Sequence, residues 1–164
     1  MVLLCYYLTV VEPNSNAKAV IENISYITVA TVDESGQPWN TPLAVFRFDG
    51  DYCMYWASWS DNQHSQNIRT NGKAFIVIYD STPASDKPTT GVYIQAEASE
   101  LKDEQEVMQA ALVFKDNTYN PSDGKEYLGD KPRRIYKAVP QHIWTNDDSE
   151  VNGDFIDVRK GAEA

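Results

Sequence analysis

A run of polar residues after an apolar strand is the strongest candidate for chemistry in this sequence. Residues 58–72 follow the mostly apolar residues 52–57 and begin with small hydroxyl, amide and imidazole side chains. A helix that starts here would present free backbone N–H groups and the positive end of its dipole, which suit a phosphate or another anion. On composition alone, a solvated loop with ordinary helix capping is the alternative. The candidate donors are Ser58, Ser60, Asn62, Gln63, His64 and Ser65.

Aromatic and basic residues near this run extend the candidate site. Trp56 and Trp59 flank it, and planar side chains can border a flat heterocycle, although most such residues simply pack in a core or at a rim. Arg47 is the one cation in the predicted strand 41–48, so it needs a partner if it points inward. No nucleophile-elbow motif accompanies His64 or His142, and no ligand spacing indicates a metal. We therefore assign no catalytic residue and no metal ligand.

Charge and composition exclude several classes of function. The 164-residue chain has 24 Asp and Glu against 14 Lys and Arg, so its formal net charge is −10. This charge argues against a general binder of nucleic acid or of an anionic membrane, because both partners are densely negative. Two cysteines, Cys5 and Cys53, are too few for a zinc cage or a disulfide framework. We expect a reducing, cytoplasmic compartment.

The chain is expected to form one domain over residues 14–164, preceded by an apolar extension of residues 1–13. The first eleven residues lack the basic start and the cleavage site of a signal peptide. They are also too few to span a bilayer, which takes about 20 residues. We interpret them as a strand-like extension or as sequence ahead of the true domain.

The order of predicted elements indicates a mainly β (α+β) fold, an antiparallel barrel of about six strands with a few short helices. Helical spacing predicts helices over residues 14–24 and 103–113, and a short helix that is capped by Ser60 or Asp61 and ends at Asn71 and Gly72. The Pro-, Ser- and Thr-rich residues 81–90 are a candidate lid. The predicted strands are 24–32, 41–48, 52–57, 73–79 and 91–98, and residues 134–140 and 142–145 are predicted to add one strand or two.

Five motifs in order resemble a known family. Residues 27–42, ITVATVDESGQPWNTP, resemble the opening hairpin of the pyridoxamine 5′-phosphate oxidase-like, FMN-binding split-barrel proteins. Residues 55–58 (YWAS), 64–71 (HSQNIRTN) and 77–81 (VIYDS) look like the stress-protein-type branch of that family. Residues 91–98 are similar to its next core strand. The good match covers about residues 15–100.

The resemblance implies a split-barrel homodimer with FMN sites at the subunit interface and a small-molecule substrate. The stretch 43–45 would contact the flavin ring, and Arg47 would contact the phosphate. The family's Arg-Lys pair falls on Gln63 and His64, and Trp144 would reach a neighbouring subunit's site. The cofactor-binding residues implied in this way are Leu43, Ala44, Val45, Arg47, Trp56, Ala57, Ser58, Gln63, His64, Ser65 and Trp144.

Three functions are compatible with these features. The first is an FMN-dependent oxidoreductase. The second is a binding module that holds flavin, deazaflavin or haem without turnover. The third is a cofactor-free barrel dimer, which the loss of the Arg-Lys pair supports. Since Gln63 is neutral and His64 titrates, we expect FMN binding to be weaker than in the oxidase and to depend on pH.

Overall fold

The computed structural model describes residues 11–46, 52–82, 90–116, 124–151 and 154–163. None of the helices in these ranges is both long and apolar enough to cross a membrane. A one-turn 3-10 helix, Lys125–Tyr127, precedes the long strand β6. In chain order the elements are α1 (Ser15–Asn23), β1 (Tyr26–Val32), β2 (Pro38–Ala44), β3 (Met54–Trp59), α2 (Gln63–Asn71), β4 (Lys73–Tyr79), β5 (Gly91–Glu100), α3 (Glu104–Asp116), β6 (Arg133–Val151) and β7 (Asp154–Gly161).

The strands form one antiparallel sheet in the order β2-β1-β4-β5-β6-β3, and β7 pairs with the second half of β6. The ends of this order meet through Phe46 and Tyr55, whose backbones exchange two hydrogen bonds of 2.8 and 2.9 Å. This bridge closes the sheet into a barrel. Elsewhere in the described part of the chain β2 and β3 are not paired with each other, so the barrel is split between them. The predicted mainly β split barrel is confirmed.

Alternating side chains fill the barrel interior, as the two-residue period of a strand requires. Val29, Ile76 and Ile94 are fully buried inside it. Trp56 and Tyr136 stack beside them, with ring centroids 5.9 Å apart. A second apolar cluster lies between the sheet and α3; it includes Cys53, Tyr55, Val107, Phe114 and Ile135.

The C-terminal strands resolve one open prediction and add one strand. Residues 134–140 and 142–145, predicted as one strand or two, belong to one continuous strand, β6, which bulges at Gln141, because Gln95 pairs with His142 while the next residue pairs with Pro140. A bulge accommodates a proline, which has no N–H for the ladder. Strand β7 was not predicted, because its residues lack the apolar alternation of a core strand.

Smaller differences concern the segments around the candidate site. Strand β2 begins at Pro38, three residues before the predicted start. The cap of α2 is Asn62 rather than Ser60 or Asp61, whereas its predicted end at Gly72 is confirmed. Residues 1–10, Arg47 and most of the candidate lid 81–90 lie outside the described residues.

Gly72 turns the chain from α2 into β4. Its φ of 69° lies in the left-handed region, and a Cβ placed on it would sit 3.2 Å from the Ala98 carbonyl oxygen. That oxygen belongs to β5, and the Ala98 N–H donates to the Gly72 carbonyl at 2.7 Å. A side chain is therefore opposed by both the backbone conformation and the neighbouring strand.

We predict that Gly72→Ala lowers the free energy of unfolding by about 1–3 kcal/mol, measured by denaturant titration. Gly36→Ala is the matched control, because Gly36 also has a positive φ, 86°, but nothing lies within 4 Å of its Cβ position. We expect Gly36→Ala to cost less. Equal losses would show that the contact with β5 adds nothing to the strain of the turn.

Candidate functional site

The split between β2 and β3 brings together two of the stretches that the resemblance implies. Val45 and Trp56 are the chain neighbours of the bridge residues Phe46 and Tyr55, so the stretches 43–45 and 56–58 approach each other beside the bridge. Within the described residues, and apart from this bridge, β2 pairs with β1 alone and β3 pairs with β6 alone. Among these residues, no neighbouring strand occupies the facing edges of β2 and β3, so their backbone groups are candidates for contact with a ligand.

The inward side chains of this split are apolar. Val45 and Trp56 belong to the barrel core, and Leu43 packs against it. Ala57 faces the second cluster under α3. A flat ring at the split would therefore meet strand edges and aliphatic or aromatic surface, the usual lining of a small-molecule site.

The start of α2 lies directly after β3 and carries no side-chain cap. Asn62 has the extended conformation of an N-cap, but its side chain makes no capping bond to the helix. Instead, its Nδ2 donates to the Ser58 Oγ at 2.8 Å. No acidic residue occupies the first turn, and the exposed Asp61 precedes the cap. The first backbone N–H groups and the positive end of the dipole are left for an anion.

The hydroxyl of Ser58 adds a further donor. The residue is buried, with 6% of its surface exposed, and its Oγ accepts the hydrogen bond from Asn62 Nδ2. Its own O–H remains able to donate. This bond also fixes the turn between β3 and α2, so the strand and the helix start are positioned together.

Polar atoms without partners lie beneath this helix start. Among the described side chains, the buried atoms with no hydrogen bond are Trp56 Nε1, His64 Nε2 and Ser65 Oγ. Burial raises the pKa of Tyr136, and the nearby Ser65 Oγ partly offsets this rise without the geometry of a full hydrogen bond. Each unsatisfied buried polar atom costs about 1–3 kcal/mol. Such atoms are typical of a site that a ligand or water completes.

Burial determines the protonation of two groups here. It lowers the pKa of His64, which is only 2% exposed, because the charged ring would lose its hydration. It is also the largest cause of the raised pKa of Tyr136. At neutral pH the His64 ring is therefore uncharged and cannot replace a fixed cation.

Three polar residues of α2 hold the helix over the end of the barrel. Asn67 Nδ2 donates to Thr31 Oγ1 at 3.0 Å, and Asn71 Nδ2 donates to the Val32 carbonyl at 2.9 Å. On the other side, Arg69 reaches the carboxylate of Glu100 at 3.4 Å and the Tyr136 hydroxyl at 3.2 Å. The helix is thereby tied to β1, β5 and β6.

The other cofactor-binding residues that the resemblance implies do not all lie at the split or at the start of α2. The side chains of His64 and Ser65 turn inward, and Gln63 Nε2 donates to Asn67 Oδ1 at 2.8 Å. Towards an anion at the helix start, these residues offer backbone N–H groups. Trp144 lies apart, on the outer face of the sheet, where it stacks with Phe75 at 6.4 Å. Arg47 lies outside the described residues.

Sequence reasoning did not identify the tie residues Thr31, Asn67 and Arg69 as part of the site. A signal existed for one of them: Asn67 lies four residues before the polar Asn71, so the two share one face of a short helix. Nothing local indicates that Thr31, an inward residue of β1, meets them.

Comparison with protein families gives one match over most of the chain. The family model described as pyridoxamine 5′-phosphate oxidase matches residues 14–147. No curated protein matches the sequence.

Solved structures share the fold at low sequence identity. HutZ, the haem storage protein from Vibrio cholerae, is 15% identical with a TM-score of 0.65, over 80% of this chain and 93% of HutZ. A haem-binding protein from Mycobacterium smegmatis is 16% identical with a TM-score of 0.64, over 90% of this chain and 57% of that chain. A candidate pyridoxamine 5′-phosphate oxidase from Listeria innocua is 14% identical with a TM-score of 0.58, over 84% of this chain and 95% of that chain.

We predict that acidification destabilises the protein through His64. Because burial lowers the folded-state pKa of this ring, the unfolded chain binds the proton more readily as pH falls below about 6.5. The stability contribution is complete above that pH and is lost as pH falls towards the folded-state pKa. Denaturant unfolding at pH 7.5 and 5.5 measures the loss, which should be smaller in His64→Gln. An identical loss in this variant would contradict the assignment.

Proposed function

The chain belongs to the pyridoxamine 5′-phosphate oxidase family, and on that premise we propose that it binds FMN and transfers a hydride or electrons to a small molecule. The phosphate would lie at the start of α2, and the ring would lie along the split between β2 and β3. The observation that carries this proposal is the uncapped start of α2 next to the buried Ser58 hydroxyl.

The residues present fit a phosphorylated flavin. Open edges of β2 and β3 offer hydrogen bonds to a ring, and unpartnered Trp56 Nε1 lies beside them. The helix start offers several N–H groups to a phosphate. Since Gln63 and the buried His64 are neutral, this phosphate would depend on those N–H groups, on Ser58 and on Arg47.

FMN bound here would supply the redox chemistry, while the protein supplies orientation and polarity. The stretches 43–45 and 56–58 would hold the ring plane, because they flank the bridge between Phe46 and Tyr55. Tyr136 and Glu100 would keep α2 in place through Arg69. The substrate class stays open, and no side chain is assigned as an acid or base.

We also propose that two copies form a homodimer that covers the split. Strand β2 is mostly exposed, and half of the Trp39 surface is accessible to solvent. Unpaired strand edges and exposed indoles favour association, because both gain from contact with another chain. A second copy over β2 would also enclose the ring-binding edge.

Haem is the second candidate ligand. Two of the solved structures that share this fold are named as a haem storage and a haem-binding protein. In the present chain, the exposed His142 lies on the outer sheet face beside Trp144, at 5.7 Å between ring centroids. A histidine imidazole is a common ligand of haem iron, and His142 is accessible to haem.

Titration with FMN and riboflavin tests the phosphate site. We predict that FMN binds at least tenfold more tightly than riboflavin, because the two ligands differ only in the phosphate. Arg47→Ala should weaken FMN binding by about 10–100-fold and leave riboflavin binding unchanged, since a charge-assisted hydrogen bond contributes about 1.5–3 kcal/mol. The control is Lys18→Ala, which removes an exposed cation of α1. Equal affinities for the two flavins would contradict the proposal.

Turnover separates an enzyme from a binding module. With FMN bound, a reduced nicotinamide should bleach the flavin absorbance near 450 nm, and an added acceptor should restore it. Bound flavin that no reductant bleaches would favour the module.

Sedimentation of the dilute protein tests the dimer. We predict a dimer both with and without FMN, and a shift towards monomer in Trp39→Glu because a charge would be buried at the interface. A folded monomer that retains FMN would contradict an interface that encloses the cofactor.

A further inference from the structure

The outer face of the sheet carries an imidazole that a carboxylate holds. His142 Nδ1 lies 3.3 Å from Glu163 Oε1, and 56% of the His142 side chain is exposed. A carboxylate at Nδ1 favours the tautomer with its proton there, which leaves the lone pair of Nε2 available. Within the described residues, Nε2 has no hydrogen-bond partner.

Glu163 is anchored by the residues around it. Its Oε1 also lies 3.4 Å from the Ile143 N–H, and its backbone bridges with Pro13. The preceding residue, Ala162, is fully buried and donates to the Ile143 carbonyl at 2.9 Å. The carboxylate is thus built into the fold beside His142, rather than carried on a free tail.

Flat side chains surround this imidazole on the same face. The Trp144 ring lies next to His142, and Phe75 stacks on Trp144 with a tilt of 24° between the two rings. The guanidinium of Arg159 lies 4.2 Å from the centre of the Tyr93 ring and 5.5 Å from that of Phe75. No carboxylate pairs with Arg159 in the part of the chain that the structure describes. The face therefore combines aromatic surface with an available cation.

A groove adjoins the histidine. It has a volume of about 520 Å³, within the usual range for small-molecule sites of about 300–1,000 Å³. Phe75 and Gln95 line it, and Gln95 pairs directly with His142 across β5 and β6. Small residues such as Ala30 leave room for a flat ligand, and Lys73 adds a second cation at its edge.

From this juxtaposition we infer that His142, positioned by Glu163, is the axial ligand through which the chain binds the iron of haem on the outer sheet face. The inference rests on the haem candidate above and assigns it a site separate from the start of α2. His142 Nε2 would supply a lone pair to the iron, with no electron transferred. Phe75 and Trp144 would offer aromatic surface to the macrocycle, and Arg159 and Lys73 would offer cations to its carboxylates.

Titration of the full chain with ferric haem, followed by its Soret absorbance, tests the ligand. The wild type should give an imidazole-ligated spectrum, and iron-free protoporphyrin should bind at least tenfold more weakly. His142→Ala should lose that spectrum and bind haem at least tenfold more weakly, and free imidazole should restore the spectrum. Gln141→Ala, at the neighbouring bulge, is the matched control and should behave as the wild type.

The role of Glu163 has a separate readout. Glu163→Gln should retain haem but raise its reduction potential, because a neutral amide makes the imidazole a weaker donor than a carboxylate does. An unchanged potential would show that Glu163 does not position or polarise the ligand.

Three other results would overturn the assignment. If the wild type binds no haem, the haem candidate itself fails. If haem binds but the spectrum survives in His142→Ala and is lost in His64→Gln, the haem candidate stands and the ligand is the buried histidine. If saturating FMN displaces haem, the two share one site and the outer face is not the haem site.

Discussion

The attachment of α2 to three strands is the constraint on which the candidate site depends. Asn67 ties the helix to β1, while Arg69 ties it to Glu100 of β5 and Tyr136 of β6. Because a helix of nine residues is marginal alone in water, these ties and the buried Ile68 hold it in place. They also set where the uncapped N–H groups of its first turn point. Loss of the ties would release the helix start from Ser58 and from the end of β3.

The split of the barrel explains why a ligand suits this position. A closed barrel has no free strand edges, whereas in the described part of this chain the ends of the strand order meet through the single bridge pair Phe46 and Tyr55. The edges on either side of that bridge need partners, and so do the N–H groups of α2. With a net charge of −10 the chain as a whole repels anions, so a local cluster of donors must provide any affinity for a phosphate. Backbone N–H groups can bind a phosphate without adding a charged side chain.

Sequence patterns predicted the helices and strands whose bounds are set by residues close together in the chain. Helix α1, predicted over residues 14–24, spans Ser15–Asn23, and β4 spans the predicted residues 73–79. The cap of α2 was placed one or two residues early, because Ser60, Asp61 and Asn62 are about equally good N-cap residues by type and composition does not select among them. The inward turn of His64 follows from helix phase, since Ile68 lies one turn further on the same buried face. The spacing of His64 and Ile68 is sufficient to predict that both lie on one face of the helix.

The pairing of strands that are far apart in the chain could not be predicted from such local patterns. The hairpin of β6 and β7 brings Arg159 over the rings of Tyr93 and Phe75, although these residues are far apart in the chain. A polar strand such as β7 has little apolar pattern, so neither its existence nor its pairing follows from periodicity. The family resemblance predicted the barrel correctly, and the cofactor-binding residues that it implied stay predictions.

A map of backbone amide shifts by NMR, on addition of FMN to the ¹⁵N-labelled protein, tests the flavin site directly. If the phosphate binds at the start of α2, the shifts should concentrate in residues 43–45 and 56–58 and in the first turn of α2, at Gln63, His64 and Ser65. Shifts at Phe75, Tyr93 and Trp144, with the α2 start unchanged, would instead place the flavin on the outer sheet face and contradict a phosphate site at the start of α2.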